Sequence, residues 1–180
     1  MNGWSRRCLR AMDGRWRRLA VALAAVTAVA GGTAVLASAG GSTLYVAQGG
    51  SDSSDCQTQA SPCATIAYAV SQASDGDTVD VGPGTFPESG GVSVPFDLTI
   101  AGSDQAPGTT VAGTPSVGAT VTVSAGNVNL QQLTITGATG GDGVLVSGGA
   151  ATVAASLVTG NQTGVQSTGG SVSVIDSTVS

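Results

Sequence analysis

Apolar and polar residues alternate along this chain in short bursts, among them Val121-Thr122-Val123, Val128-Asn129-Leu130, Val144-Leu145-Val146 and Val172-Ser173-Val174. Glycine pairs such as Gly148-Gly149 and Gly169-Gly170 interrupt the bursts. A two-residue period sends successive side chains to opposite faces, so each burst predicts a brief strand and each glycine pair a corner.

The bursts keep register with one another. Sliding residues 160–180 back by 21 sets Val165 on Val144, Gly169-Gly170 on Gly148-Gly149, Val174 on Val153 and Val179 on Val158. One step further back, Leu130, Leu133 and Ile135 meet Val153, Ser156 and Val158 at a spacing of 23. A strand with one apolar face cannot bury it alone, but stacked repeats make a continuous core. Three short strands and three turns fill such a period, which predicts an all-β fold, a right-handed parallel β-helix of roughly four or five coils. The period exceeds the coil of left-handed hexapeptide helices, and a leucine-rich repeat would need its leucines. Disorder is the other outcome for a chain rich in Gly, Ser and Thr, yet a disordered tract need not hold valines in register.

The first rung of a stacked coil leaves apolar side chains and backbone groups open. Residues 61–73, SPCATIAYAVSQA, predict the cover: a short helix with Ser61 as its cap, Pro62 at its first position, and Ile66, Val70 and Ala73 on one face. Cys56 and Cys63 are expected to form a disulfide pinning the helix start, closing a loop of about eight residues worth ~2 to 3 kcal/mol. A metal site is the alternative, though two thiols without histidine supply half of a zinc tetrahedron.

Three segments, LYVAQGGSDSSDC, SPCATIAYAVSQASDGDTVDVGPGTFPES and LTIAGS, together resemble the opening of secreted right-handed parallel β-helix proteins of the pectin-lyase-like superfamily. The resemblance covers Leu44 to about Ser103 and continues through the repeats. It implies an opening strand, a capping helix and first coils. For activity it implies little, because many proteins with this opening have no assigned reaction.

Charge divides the chain sharply. All six basic residues lie within the first 18 positions, and Lys and His are absent. The uncharged stretch from Leu19 to Ala39 follows, ending in Ala37-Ser38-Ala39, which predicts a secretory signal peptide over residues 1–39 with cleavage after Ala39. An uncleaved membrane anchor is the alternative. Ser5-Arg6-Arg7-Cys8-Leu9 partly matches a twin-arginine signal, but Arg10 stands where an apolar residue belongs, so general secretion is expected. Ten carboxylates and no side-chain cation then remain. Nucleic acid is excluded as a partner, since binding it needs cations against phosphate, and acidic polysaccharides would be repelled.

Candidate chemistry is sparse. Asp75, Asp77 and Asp80 place three carboxylates within six residues and are the candidate calcium ligands. The competing reading makes Asp75-Gly76 a turn that ends the helix and Asp77 the start of a strand; Asp52 and Asp55 likewise fall in a loop. The turn reading is adopted, and no cofactor is expected. Superfamily lyases use a basic Arg or Lys, and neither follows Arg18. Glycosidases need carboxylates facing one another, and the repeat stacks Asp176 on Ala155 and Asp142 on Thr163. Without histidine no Ser-His-Asp or Cys-His system can form. Tyr45, Tyr68, Phe86 and Phe96 are expected to pack in the cap and first coils. The hydroxyls of Thr120, Thr122, Thr134 and Thr136 are read as solvated strand faces that could also present themselves to carbohydrate or ice. Asn161-Gln162-Thr163 is formally a glycosylation sequon, with a corner asparagine as the simpler account.

The expected organisation is a signal peptide over 1–39, then an opening strand, disulfide loop and capping helix over 40–77, and coils over 78–180 without a C-terminal cap. The expected role is a secreted, noncatalytic scaffold or binding module for a neutral carbohydrate or cell-envelope component. The alternative is the front of a polysaccharide-active lyase or hydrolase whose catalytic coils lie beyond Ser180.

Overall fold

A computed structural model describes residues 41–104 and 108–180. The predicted signal peptide, its cleavage point and the anchor alternative lie outside those residues. In chain order the elements are β1 (Thr43–Val46), helix α1 (Ile66–Gln72), β2 (Asp77–Val81), β3 (Gly84–Pro87), β4 (Val92–Val94), β5 (Leu98–Ala101), β6 (Thr109–Ala112), β7 (Ala119–Val123) and β8 (Asn127–Gln131). They continue as β9 (Leu133–Thr136), β10 (Asp142–Val146), β11 (Ala150–Ala154), β12 (Leu157–Val158), β13 (Thr163–Ser167), β14 (Ser171–Ile175) and β15 (Thr178–Val179).

The strands stack into three parallel sheets, making a parallel β-solenoid of about four turns. One sheet runs β1-β2-β5-β8-β11-β14, a second β4-β7-β10-β13 and a third β3-β6-β9-β12-β15. We call them the first, second and third sheets. The predicted register is the observed one: Val144 pairs with Val165, Val153 with Val174, Leu130 with Val153, and Ile135 with Val158. The earlier coil departs from the 21-to-23 spacing, because Leu98 pairs with Val128, thirty residues on. The extra residues fall in the connections between β5 and β6 and between β6 and β7, which a strand-only period does not anticipate.

Inside the solenoid, equivalent side chains form vertical rows. Phe86, Val111, Ile135 and Val158 make one such row, and Val79, Ile100, Leu130 and Val153 another, all nearly inaccessible to solvent. Each fully buried side chain of this size stabilises by about 1.5 to 3 kcal/mol. In the last coil Val174 and Val179 are 46% and 43% exposed, so the rows are covered on one side only there. At one corner Gly126 and Gly149 take φ of 77° and 72°, and a Cβ on Gly149 would run into the carbonyl of Gly126.

The cap is built differently from the sequence expectation. Ser61 and Pro62 do not begin the helix; Thr65 caps it, its hydroxyl accepting from Tyr68 N–H at 3.2 Å. The reason is that residues 56–63 are already engaged with the edge of β1. Tyr45 N–H donates to Cys56 O at 2.7 Å, Cys63 N–H to Tyr45 O at 2.8 Å, and Ala47 N–H to Cys63 O at 3.0 Å. The Cys56–Cys63 disulfide is present, and it closes a loop that covers the first edge strand rather than the helix start itself. Ile66, Ala69 and Val70 form the buried face of α1, while Ala73 is its half-buried C-cap. On the third sheet the exposed edge of β3 is blunted by Pro87, which lacks a donor, and by Gln48, whose amide donates to Thr85 O at 2.7 Å.

Candidate functional site

Most carboxylates of the front half are bound to backbone N–H groups. Asp52 accepts from Ala64 N–H at 2.8 Å, Thr65 N–H at 3.0 Å and the Thr65 hydroxyl at 2.9 Å. Glu88, only 3% exposed, accepts from Ile66 N–H at 2.6 Å and Ala67 N–H at 3.3 Å. Together they satisfy the N–H groups that any helix start leaves without intrahelical partners. Burial pushes the Glu88 carboxyl above the ordinary range; the two N–H donors pull it down, and the neighbouring charge of Asp52 raises it further. Sequence reading assigned Glu88 no role, since nothing local marks a contact across 22 residues.

The three candidate calcium ligands are not brought together. Asp77 opens β2 as expected but points inward, accepting from Ser42 N–H at 2.6 Å and Ser74 N–H at 2.7 Å. Asp75 lies in the exposed turn and accepts from Asp97 N–H at 3.0 Å. Asp80 faces outward on β2, in register with Tyr45. The helix stops earlier than the Asp75-Gly76 turn, at Gln72. Asp55 accepts from Gln57 N–H in its own loop. Among the described residues no three Asp, Glu, Cys or His side chains are grouped to hold a metal ion.

Three of the four aromatic rings pack in the cap and first coils as expected: Phe86 is buried in the core, and Tyr68 and Phe96 pack against that core. Tyr45 instead faces outward, lining a hollow of about 230 Å³ with Gln59, Pro62 and Asp80. The threonine expectation needs one correction. Thr120 is fully buried, its hydroxyl donating to Thr136 O at 3.3 Å, because the segment before β7 folds over it. Outward uncharged polar side chains, hydroxyls with one carboxamide among them, form a longer row than the sequence suggested. Thr43, Thr78, Thr99, Asn129, Thr152 and Ser173 stack across all six strands of the first sheet. Asn161 is spent internally: its amide nitrogen donates to Ile135 O and Thr159 O, each at 3.1 Å, and its oxygen accepts from Ala138 N–H at 3.0 Å. Both amide hydrogens are engaged, which favours the corner account over glycosylation.

Between the first and third sheets runs a groove of about 500 Å³, lined by Asp104, Gln132, Thr134, Ala155, Leu157 and Asp176 among others. Sequence reading missed it. Gln132, Ala155 and Asp176 occupy equivalent corner positions, and all three take positive φ, at 58°, 48° and 48°. Their equivalence is readable from the repeat, but the groove they border depends on that backbone turn. Among the described residues no helix is long and apolar enough to cross a membrane. Fold and surface together define a parallel β-solenoid with an acidic, hydroxyl-rich exterior. Comparison of the chain with known protein families, with curated proteins and with solved structures finds no match.

Proposed function

We propose that this chain is a secreted, noncatalytic, right-handed parallel β-helix of the pectin-lyase-like kind, serving as an extracellular scaffold or binding module for a neutral carbohydrate or another cell-envelope component. The observation that carries the reading is the outward row of Thr43, Thr78, Thr99, Asn129, Thr152 and Ser173, uncharged hydrogen-bonding groups held one per strand. Strands lie about 4.8 Å apart, so the row offers a flat, regularly spaced array of donors and acceptors to an uncharged, hydroxylated polymer. The front acids are in keeping with the noncatalytic part: Asp52, Asp77 and Glu88 are engaged as acceptors for the chain's own backbone N–H groups.

The test is retention of the secreted protein on insoluble neutral polysaccharides, comparing the native chain with a variant carrying Thr78→Lys, Thr99→Lys and Thr152→Lys. Retention lost in the variant supports the reading; equal retention, or none by either protein, overturns it. Release of reducing ends or unsaturated sugars from any polysaccharide would favour the lyase or hydrolase alternative. Amino-terminal sequencing of the exported protein is expected to begin at Gly40.

A further inference from the structure

We propose that the hollow at the front of the first sheet binds one pyranose ring of a neutral, β-linked glucose polymer, with the ring's C–H face on Tyr45 and its hydroxyls donating to Asp80. The inference rests on the carbohydrate reading and deepens it. Tyr45 and Asp80 stand two residues beyond Thr43 and Thr78 on neighbouring strands, so they share the outward face that carries the polar row.

Asp80 is the exception among the seven front carboxylates. The other six each accept from a backbone N–H, whereas Asp80, half-buried beside the ring, accepts no hydrogen bond among the described residues. The Tyr45 hydroxyl and the Gln59 amide are likewise unengaged there. All three meet in one hollow, together with Ala47 and Pro62. Gln59 and Pro62 belong to the loop closed by the Cys56–Cys63 disulfide, and Tyr45 N–H and O bond to Cys56 O and Cys63 N–H. Both sides of the hollow are therefore fixed before a ligand arrives, which lowers the ordering cost of binding. Its volume of about 230 Å³ is below the roughly 300 to 1,000 Å³ of pockets for drug-sized ligands, and suits a single ring. A pyranose complements this lining, because its axial C–H bonds make an apolar face and its rim carries hydroxyls. Tyr45 presents an apolar ring with a polar tip, an ionised carboxylate is the stronger kind of acceptor, and Gln59 both donates and accepts. Stacking favours a ring whose hydroxyls are all equatorial, since an axial hydroxyl would hold the faces apart.

Calorimetric titration of the native chain with cellohexaose is expected to give a dissociation constant below about 1 mM. Tyr45→Ala should weaken binding about fivefold through the lost stacking face, and Asp80→Ala about tenfold through the lost charged acceptor. Tyr45→Phe keeps the apolar face, so its affinity should stay within about twofold of native. It should also abolish the tyrosine difference spectrum that cellohexaose induces in the native chain, because the other tyrosine, Tyr68, lies on the helix. Native-like affinity in both alanine variants would overturn the hollow, as would a difference spectrum that survives in Tyr45→Phe or an absence of cellohexaose binding. In each of those cases the row of the first sheet is judged separately, by retention on insoluble polysaccharide and its loss in the triple lysine variant. Binding of tetramethylammonium chloride as tight as that of cellohexaose would assign the hollow to a cation and overturn the sugar proposal. Circular dichroism of each variant checks that the solenoid is intact, so that lost binding is read only from folded protein.

Discussion

The front of this molecule and its last coils solve the same problem with different chemistry. Both must satisfy backbone groups and cover apolar rows. Seven of the ten described carboxylates lie before residue 98, and six of the seven accept from backbone N–H groups, often across long sequence gaps. In the last coils neutral side chains take over. Leu133 N–H donates to the Ser156 hydroxyl at 3.1 Å, and one rung later Ser156 N–H donates to the Ser177 hydroxyl at 3.0 Å. Where the chain repeats, each rung supplies the partner its neighbour needs. Among the described residues no strand pairs on the far side of β1, and strong charged acceptors from distant loops serve the front instead.

The largest expected effect falls in the coils. Ile135→Ala removes a fully buried side chain stacked between Val111 and Val158, and should cost about 3 to 4 kcal/mol in denaturant unfolding. A loss under about 1 kcal/mol would mean the rows do not carry the stability assigned to them.

Next is the covalent link of the front. Replacing Cys56 and Cys63 by alanine should cost about 2.5 kcal/mol from the eight-residue loop alone. Because that loop pairs with β1, amide exchange should speed up first in β1, with β8 and β11 still protected. Uniform loss of protection would show that cap and coils unfold as one unit, and the contrast between them would then be structural only.

Glu88 sharpens the comparison further. Glu88→Ala leaves two helix N–H groups without their acceptor and should cost about 2 kcal/mol. Glu88→Gln keeps an acceptor and should stay within about 1 kcal/mol of the native chain at pH 7. The sign with pH follows from burial, which raises the folded carboxyl above its ordinary value of 4.5. The folded state therefore binds this proton more tightly than the unfolded chain does. Its stabilising contribution is fully present below 4.5 and is lost as pH rises through the raised folded value. Relative to Glu88→Gln, the native chain should gain stability as pH is lowered from neutral toward 4.5, measured by paired urea titrations.

What the sequence made legible divides along the same line. The rows through Leu130, Val153 and Val174, and through Ile135, Val158 and Val179, were readable because stacking repeats them at fixed spacing. The disulfide was readable from two cysteines. The helix start was misplaced, because Ser61-Pro62 carries a strong local start signal that pairing with β1 overrides. Glu88 was invisible as a helix cap for a related reason: its partners are fixed by the coil that carries it back to the helix, not by nearby residues. The groove lay beyond reach because its corner residues are in the left-handed region, where glutamine and alanine are not expected.

The smallest effect isolates that corner. Ala155 holds φ at 48° without a side chain able to hydrogen-bond locally. A left-handed conformation costs an L-residue about 1 to 2 kcal/mol, whereas glycine adopts it freely but loses more backbone entropy on folding. The two terms oppose each other, and the steric one is larger at this φ, so Ala155→Gly should stabilise by about 0.5 to 1 kcal/mol. The same substitution at Ala151, buried in the β11 row with regular strand geometry, should destabilise by about 1 kcal/mol or more, since it removes a packed methyl and gains no conformational relief. Thermal unfolding of the two variants side by side tests whether the corner is strained. Opposite shifts are expected, and a destabilised Ala155→Gly would mean that the stacked rungs have made the left-handed turn comfortable for alanine.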